Sequence, residues 1–264
     1  MYSLKGTRGA RQLSEGMKEL LDIAAISDKG KVRKKNEDYF GIFEPETEEL
    51  MKERGVLAIV SDGMGGHFSG GEASKLTVEV MSEAYYEVKG GDPAELLNEA
   101  LRRANREVFH QVGESRDGLA GTTCTAVVFF PDRLIIAHAG DSRAYLVREG
   151  TIEQLTYDHS VVGEMFRQGM LDEEEARTHP RRNVITKAIG LREEVSPDVS
   201  SSTSFEKGDI VVICSDGLFS MLREKEIREI VSTNDPEKAC SILVDRANEE
   251  GGDDNTTVVV ARRK

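Results

Sequence analysis

The sequence predicts an α+β fold in which helices pack outside β-sheets. Strand-like segments come in runs, four of them between Thr122 and Leu155, and their short polar connections are typical of antiparallel strands. Helix-like segments come in pairs, not singly between strands as in an alternating βαβ fold. No Pro-, Gly- or Ser-rich linker divides the 264 residues, so we expect one large domain.

The first helix pair follows a strand-like run near residue 60. Apolar residues at three- and four-residue spacing predict one helix from Gly71 to Val88. A second helix begins at Asp92-Pro93, because proline is favoured at the first helical position. Its apolar face runs from Leu97 to Phe109.

The middle and the end of the chain complete the pattern. We predict an antiparallel meander of four strands, with Gly140-Asp141-Ser142-Arg143 in a hairpin turn; the strands are Thr122–Phe130, Leu134–His138, Arg143–Arg148 and Ile152–Leu155. Two later helices, around Glu224–Val231 and Pro236–Glu249, precede a last strand.

The N-terminal residues carry no recognisable chemistry. We expect residues 1 to about 20 to be a mobile arm or a short docked helix, and we divide the chain into an arm (1–21) and a domain (22–264). No apolar stretch follows the basic residues of the arm, so it is not a secretory signal. No run approaches the ~18 apolar residues of a membrane span. We therefore expect no membrane partner.

Charge and cysteine usage narrow the possible functions. The net charge of −13 argues against a nucleic-acid partner, which usually requires a basic face. Acidic runs at Glu44–Glu49 and Asp172–Glu175 are interpreted as solvated surface. Cys124, Cys214 and Cys240 lack a metal-binding or disulfide spacing, so they are expected to be reduced core residues of a cytoplasmic protein.

Three separate segments place an aspartate beside an apolar, strand-like run. The residues concerned are Asp62, Asp216 and Asp254. Any one of them alone is more simply a turn residue, since Asp and Gly are ordinary turn formers. Three together favour a shared site, because converging carboxylates repel one another unless a cation lies between them. Oxygen ligands without clustered His or Cys suit Mg²⁺ or Mn²⁺ and not zinc.

A basic loop and a further Asp-containing turn add to this pattern. In the loop 28–38, Arg33 lies four and five residues before Glu37 and Asp38. It is either a charged surface loop or a site where Arg33 grips a phosphate in a bidentate fork, with both carboxylates orienting metal-bound waters. Asp141 is either a turn residue or a ligand of a further metal ion.

Six motifs in order resemble one known family. They are Arg33-x-x-Asn36-Glu37-Asp38, Asp62-Gly63-Met64-Gly65-Gly66-His67, Gly121-Thr122-Thr123, Gly140-Asp141-Ser142-Arg143, Ser215-Asp216-Gly217 and Asp253-Asp254-Asn255. Together they resemble the PPM family, the metal-dependent (type 2C) protein serine/threonine phosphatases, in the compact bacterial form. The resemblance covers residues 22 to 262.

The resemblance implies a fold and a role for each matching residue. The fold is a four-layer α-β-β-α sandwich, with two antiparallel sheets flanked by helix pairs and a metal centre at one edge. Asp62 would bridge two Mn²⁺ or Mg²⁺ ions, with the Gly63 carbonyl on one of them and Asp216 and Asp254 on the other. Asp141, with Asp216, would hold a weaker third ion. Glu37 and Asp38 would act through waters, and Arg33 would bind the substrate phosphate.

The resemblance also implies an enzyme. A hydroxide shared by two ions would attack phosphoserine or phosphothreonine on a protein, with Arg33, Asp38 and Asp62 as the catalytic residues. The partners would be phosphorylated proteins made by Ser/Thr kinases, and the protein would act as a monomer. The alternative is a pseudophosphatase that signals by binding alone, but three mutually repelling carboxylates have no evident use there.

Two segments relate to proton transfer and to substrate choice. Some family members carry a histidine directly after the metal-binding glycine, as a proposed general acid, but Met64 stands there in this chain. His67 is either that acid or a loop residue bonded to backbone, so the acid is unassigned. Residues 157–188 resemble the family's flap beside the cleft, whose presence favours a partner of Ser/Thr kinases. Arg181 and Arg182 there are either phosphopeptide contacts or a solvated pair.

Overall fold

Two antiparallel β-sheets form the centre of the molecule. The computed structural model describes residues 2–5, 8–10, 20–45, 47–65, 69–88, 90–113 and 120–264, and within them each sheet has six strands. The order in the first sheet is β1 (Tyr2–Lys5), β4 (Tyr39–Glu44), β5 (Val56–Ser61), β8 (Cys124–Phe129), β9 (Arg133–Ala139) and β12 (Asp198–Ser204). The order in the second sheet is β11 (Thr151–Gln154), β10 (Arg143–Arg148), β13 (Ile210–Cys214), β14 (Thr256–Arg263), β3 (Leu21–Asp28) and β2 (Arg8–Ala10). A short ribbon pairs β6 (Gly63–Met64) with β7 (Gly121–Thr122).

In the described part of the chain, the four long helices lie close to the positions that the sequence predicts. The long ones are α2 (Ser69–Glu87), α3 (Pro93–Val108), α7 (Glu224–Thr233) and α8 (Pro236–Glu249). The short ones are α1 (Glu48–Arg54), α4 (Val161–Arg167), α5 (Glu173–Thr178) and α6 (Asp216–Phe219), and a π-helical turn (Phe109–Gly113) extends α3. As predicted, α3 begins at Asp92-Pro93, and Asp92 caps it: its side chain accepts a hydrogen bond from the Glu95 amide. Among the residues described, no helix is long and apolar enough to cross a bilayer.

Three hydrophobic clusters hold sheets and helices together. Strand β5 contributes residues to two of these clusters, because alternate residues of a strand face opposite sides of the sheet. Leu57 and Ile59 pack with α2 and α3, whereas Ala58 and Val60 pack between the two sheets. A third cluster joins the outer face of the second sheet to α7 and α8. The predicted α+β class with antiparallel sheets is confirmed.

The predicted four-strand meander is wrong. β8 and β9 form a hairpin in the first sheet, while β10 and β11 form one in the second, where β10 pairs with β13. The chain changes sheets at Gly140-Asp141-Ser142, which is therefore a crossover and not a hairpin turn. Gly140 has φ of +121°, and a Cβ there would lie 2.5 Å from the Thr123 Cβ, so the sharp change of direction requires glycine. Asp141 is thereby placed between the sheets.

The N-terminal prediction also needs correction in the part that is described. Tyr2–Lys5 pairs with β4 and Arg8–Ala10 pairs with β3, so these residues form strands and not a helix or a free arm. The edges of both sheets offer unpaired backbone groups that such strands satisfy. Glu44, expected at the solvated surface, is buried at the end of β4, where Tyr2 pairs with it.

Candidate metal and phosphate site

The predicted acidic residues converge at one end of the two sheets. Asp62 follows β5, Asp216 follows β13, and Asp254 precedes β14, which is the neighbour of β13. Asp141 joins them from the crossover. They line one cleft of about 210 Å³; its other lining residues are Arg33, Glu37, Gly63, Met64, Gly65, Asn183, Ile185 and Asn255. The structure thus brings these predicted site residues together, while their roles as ligands stay a prediction.

The turn after β5 is held so that Asp62 and the Gly63 carbonyl have fixed positions. The Asp62 amide donates to Thr123 Oγ1 at 3.0 Å, and the Asp62 carbonyl accepts from the Thr123 amide at 2.9 Å. A Cβ at Gly63 would lie 2.3 Å from the Gly70 carbonyl oxygen and 2.5 Å from that of Glu37. Only glycine fits between these two chain segments, so the backbone of Gly63 packs directly beside Glu37.

Asp38 and Asp216 are joined through the end of β13. Ser215 Oγ donates to Asp38 Oδ2 at 2.7 Å and accepts from the Thr257 amide at 2.9 Å. The remaining oxygens, Asp38 Oδ1 and Asp216 Oδ1, are buried and have no hydrogen-bond partner. Asp38 is buried behind the residues that line the cleft. A buried carboxylate oxygen without a donor is costly, so both positions call for a cation or water.

The electrostatics of the cluster strongly disfavour full ionisation. Burial, followed by neighbouring carboxylates, raises the pKa of Asp38 to about 7 and that of Asp216 to about 6. The same two causes raise the pKa values of Asp62 and Asp141 well above their usual range. Interaction with the neighbouring Asp62 carboxyl lowers the pKa of Asp216 and so partly offsets these effects. A divalent cation would remove this repulsion.

The side chains of the cluster supply the oxygen ligands that a hard divalent ion prefers, but they are not arranged around a common point. Within the described residues, no three acidic, His or Cys side chains are arranged as a ready-made metal site. Asp254 instead turns to Arg33, whose Nη2 lies 2.5 Å from Asp254 Oδ2. Burial opposes the charge on Arg33, but Asp254, Asp216 and Asp62 outweigh it and raise the pKa of the guanidinium. The ligand oxygens are therefore present, with one of them neutralised by Arg33.

Asn255 positions the loop that carries Arg33 and Glu37, a role that the sequence did not suggest. Its Nδ2 donates to the Lys29 and Lys35 carbonyls at 2.8 and 2.9 Å. Its Oδ1 accepts from the Glu37 amide at 2.8 Å. The available signal was an amide side chain directly after Asp254, since Asn can donate two hydrogen bonds and accept others.

No histidine lines the cleft within the described part of the chain. Met64 lies in β6 and contributes to the cleft wall, whereas His67 falls outside the described residues. His138 and His159 are buried, in β9 and at the base of the flap. His110 and His179 lie in the π-helical turn and at the end of α5. The general acid stays unassigned.

The flap, residues 157–188, lies against the cleft. It contains α4 and α5, and its two ends meet where the Thr186 amide donates to the His159 carbonyl at 2.8 Å. Asn183 and Ile185 line the cleft, and the Arg177 guanidinium donates to the Phe219 and Ser220 carbonyls at the end of α6. The flap is thus attached to the helix that begins with Asp216. Its exposed pair, Arg181 and Arg182, does not line the cleft.

Comparison with known proteins identifies the family. The family model described as Protein phosphatase 2C matches residues 31–245. This chain belongs to the protein phosphatase 2C, or PPM, family. It is 37% identical over 243 residues to the serine/threonine phosphatase stp of Listeria welshimeri, covering 90% of this chain and 94% of that protein. It is 35% identical over 246 residues to the protein phosphatase PhpP of Streptococcus pneumoniae, covering 91% and 96%.

Solved structures agree with the family assignment. The serine/threonine phosphatase PstP/Ppp of Mycobacterium tuberculosis superposes with a TM-score of 0.81 at 35% identity, covering 92% of this chain and 98% of that one. A PstP catalytic domain in complex with two manganese ions gives a TM-score of 0.79 at 34% identity, with the same coverage. The chain is therefore a bacterial-type PPM serine/threonine protein phosphatase, and phosphoproteins are its substrate class.

The cysteines of this phosphatase are core residues, as predicted. All three are free and buried, and burial raises the pKa of each thiol to about 12. A thiolate nucleophile is therefore disfavoured at neutral pH.

The raised carboxyl pKa values predict an unusual pH dependence for the metal-free protein. A carboxyl whose pKa is higher in the folded than in the unfolded state binds its proton more tightly when folded, so stability falls as pH rises. In chelator, we expect the free energy of unfolding in urea to be higher at about pH 6.5 than at about pH 8, by on the order of 1 kcal/mol. Asp62, Asp141 and Asp38 (pKa about 7) all contribute in this window, while His138 and His159, whose pKa values are lowered by burial, oppose it.

Asp38→Asn is the matched variant for that measurement. Its urea stability should change less between the two pH values, because one of the carboxyls that keep a proton in the folded state is gone. With Mn²⁺ the trend should weaken or reverse, since metal ions compete with protons for the carboxylates. A wild-type stability in chelator that rises from about pH 6.5 to 8 would contradict the prediction.

Proposed function

We propose that this chain hydrolyses phosphoserine and phosphothreonine on cytoplasmic proteins, at the cleft between the ends of the two sheets, and so reverses Ser/Thr kinase signalling. The observation that carries the proposal is the convergence of Asp62, Asp141, Asp216 and Asp254 beside Arg33. The placement of helix pairs outside both sheets supports a four-layer α-β-β-α sandwich with its metal centre at one edge. The protein would act as a monomer, without a nucleic-acid or membrane partner.

The oxygen ligands and the unpartnered buried oxygens support two Mn²⁺ or Mg²⁺ ions, with a weaker third. Asp62 and the Gly63 carbonyl would hold one ion, and Asp62, Asp216 and Asp254 the other. Asp141 with Asp216 would hold the third, and Glu37 and Asp38 would act through waters. When bound, such ions supply Lewis acidity toward the phosphate and a water of lowered pKa. One relative's crystallisation with two manganese ions supports the first pair.

The side chains of the cleft have separate tasks in this reaction. Arg33, half-exposed at the rim, would hold the phosphate through its fork of N–H donors, exchanging Asp254 for the substrate. Asp38, fixed by Ser215, would orient a water and is a candidate to hold a proton, because its pKa is about 7. Asn183 and Ile185 bring the flap to the cleft, where the substrate protein would be selected.

Metal removal tests the proposed function. Turnover of p-nitrophenyl phosphate and of a phosphothreonine peptide should proceed with Mn²⁺, fall to background in chelator and return when Mn²⁺ is added in excess. Circular dichroism in chelator must show a folded protein, which separates loss of catalysis from loss of fold. Turnover that resists chelation would contradict the metal-dependent mechanism. No turnover by a folded Mn²⁺-loaded sample would favour the alternative of a pseudophosphatase that acts by binding.

Replacing Arg33 tests its role in phosphate binding. We expect Arg33→Ala to lower kcat/KM by roughly tenfold, mainly through KM, because one charge-assisted contact to the phosphate is lost. Arg33→Lys should recover part of the loss, since an ammonium keeps the charge but not the fork. Arg103→Ala is the control, since Arg103 pairs with Glu87 on the outer helices. An unchanged KM for Arg33→Ala would contradict the assignment.

A further inference from the structure

The base of the flap makes direct contact with both sides of the Asp141 crossover. The His159 amide donates to the Gly140 carbonyl at 2.7 Å, and the Gly140 amide donates to His159 Nδ1 at 3.1 Å. The preceding residue, Asp158, accepts two bonds from the Arg143 guanidinium at 2.9 and 2.8 Å. Two consecutive flap residues therefore hold the residues on either side of Asp141 and Ser142.

The hydrogen bonds of His159 determine its tautomer. The Gly140 amide can only donate, so Nδ1 must be the acceptor and carries no proton. Nε2 then carries the hydrogen, and it lies 3.1 Å from Asp198 Oδ2. Lys187 donates to the other oxygen of Asp198 at 2.7 Å. Its Nζ also lies 3.0 Å from His159 Nε2, which in this tautomer is a contact between two donors that share Asp198 and not a hydrogen bond. Asp198 begins β12 and Lys187 ends the flap, so the ring joins the crossover, the flap and the first sheet.

The surroundings of His159 hold the ring in this orientation. It stacks on His138, with ring centroids 4.8 Å apart and an interplanar angle of 20°. His138 Nε2 donates to the Tyr157 carbonyl at 3.1 Å, at the start of the flap. Burial lowers the pKa of both imidazoles, which keeps them neutral and preserves the acceptor at Nδ1.

The same contacts reach the helix that carries Asp216. The Arg143 guanidinium lies 3.8 Å over the ring of Phe219, which is the last residue of α6. The Asp158–Arg143 pair is well shielded, with side-chain exposures of 13% and 22%, so its bidentate contact should be stronger than a surface ion pair. Asp141 and Asp216 are thus both connected to the flap base.

We propose that Asp158-His159 is a positioning dipeptide. It fixes the position of Asp141 relative to Asp216, and this position therefore depends on the flap being docked. The part of this inference that concerns metal binding rests on the proposed function. The ordinary alternative is a buried histidine that contributes only to stability. The two differ in one respect: under our proposal, the acceptor at the Nδ1 position controls the crossover and the flap together.

Two substitutions of His159 separate these possibilities. His159→Asn can keep an acceptor at the Nδ1 position, whereas His159→Gln can reach Asp198 but leaves the Gly140 amide without a partner. Hydrogen exchange is measured on the full metal-free chain, over residues 138–144 and 157–188, with α8 as internal reference. We expect His159→Gln to raise exchange roughly tenfold in both segments, and His159→Asn to stay within about twofold of the wild type.

Calorimetric titration with Mn²⁺ gives a second readout besides activity. The weakest Mn²⁺ binding step should weaken roughly tenfold in His159→Gln and little in His159→Asn. Equal behaviour of the two variants, or faster exchange in the flap without any change at 138–144, would overturn the proposal.

If His159→Gln does not fold, Asp198→Ala is the deciding variant, because this side chain is 47% exposed. Unchanged exchange at 138–144 in that variant overturns the proposal, and an increase there supports it. The exchange readout needs no turnover, so failure of the phosphatase assignment would be seen separately.

Discussion

The substitution Asp216→Asn should abolish most of the phosphatase activity while making the metal-free protein more stable. Asp216 is predicted to hold metal ions, and losing a ligand that contributes several kcal/mol to the transition state should lower kcat/KM about 10³-fold. Its pKa of about 6 shows that the folded state disfavours its charge. Removing that charge should therefore raise the free energy of unfolding in chelator, by on the order of 1 kcal/mol.

The opposite signs of these two effects are what make the experiment decisive. A substitution that only damages the fold lowers activity and stability together. Here the introduced amide adds a hydrogen-bond donor beside Asp62, whose pKa is raised by burial and then by carboxylates that include Asp216. Turnover with saturating Mn²⁺ and urea unfolding in chelator measure the two quantities on the same samples.

Asp253→Asn is the matched control for this prediction. Asp253 is exposed and does not line the cleft, although it is adjacent to Asp254. Its loss should change activity and stability little, because exposed charges away from partners contribute little. Activity of Asp216→Asn within tenfold of the wild type, at any Mn²⁺ concentration, would exclude Asp216 as a metal ligand.

The long helices and the positions of the cluster aspartates at strand ends could be predicted from the sequence, because both depend on local signals. α8 was predicted from Pro236 to Glu249 and has those bounds, because Asp235-Pro236 at its start and regular apolar spacing are local signals. Asp62 and Asp216 were placed at strand ends because an apolar run stops abruptly at Ser-Asp-Gly in both cases. Such signals can be read from the sequence because they act between residues that are close together along the chain.

Strand partnership was not accessible in the same way. The run from Leu134 to Arg148 consists of two apolar segments joined by Gly140-Asp141-Ser142, and nothing in it distinguishes a hairpin from a change of sheet at Gly140. The difference lies in residues distant in sequence: β10 pairs with β13 through Arg143 and Cys214, and Thr123 Oγ1 contacts Ser142 Oγ. The strand Asp198–Ser204, rich in serine, was not predicted because it lacks the apolar alternation that indicates a strand.

The arrangement of the site was also beyond the sequence. The motifs suggested that Arg33 binds phosphate and that Asp254 binds metal, but not that the two pair with each other. Each motif predicts the role of its own residue and contains no information about a contact with the other. The pair joins residues 221 positions apart, and it keeps one carboxylate of a repulsive cluster neutralised. On binding, the substrate phosphate would take the place of Asp254 beside Arg33, and the metal ion would take the place of Arg33 beside Asp254.

The substitution Asn255→Ala should impair phosphate binding without replacing a predicted metal ligand. It removes the hydrogen bonds that the Asn255 side chain makes to the Glu37 amide and to the Lys29 and Lys35 carbonyls. Three lost hydrogen bonds to part-buried groups should lower the free energy of unfolding by roughly 2–3 kcal/mol. The loop that carries Arg33 would loosen, so we expect kcat/KM to fall about 10²-fold, since small misplacements of binding groups have large effects.

Inhibition by inorganic phosphate identifies the cause of that loss. If Arg33 is misplaced, the inhibition constant for phosphate should rise by roughly tenfold, whereas global destabilisation alone would leave it unchanged in the folded fraction. Asn248→Ala is the matched control: its amide makes one bond, to Asp28 Oδ1 at 3.1 Å, at the start of the same loop. It should retain near wild-type phosphate inhibition. Equal phosphate inhibition in wild type and Asn255→Ala would show that Asn255 does not position Arg33.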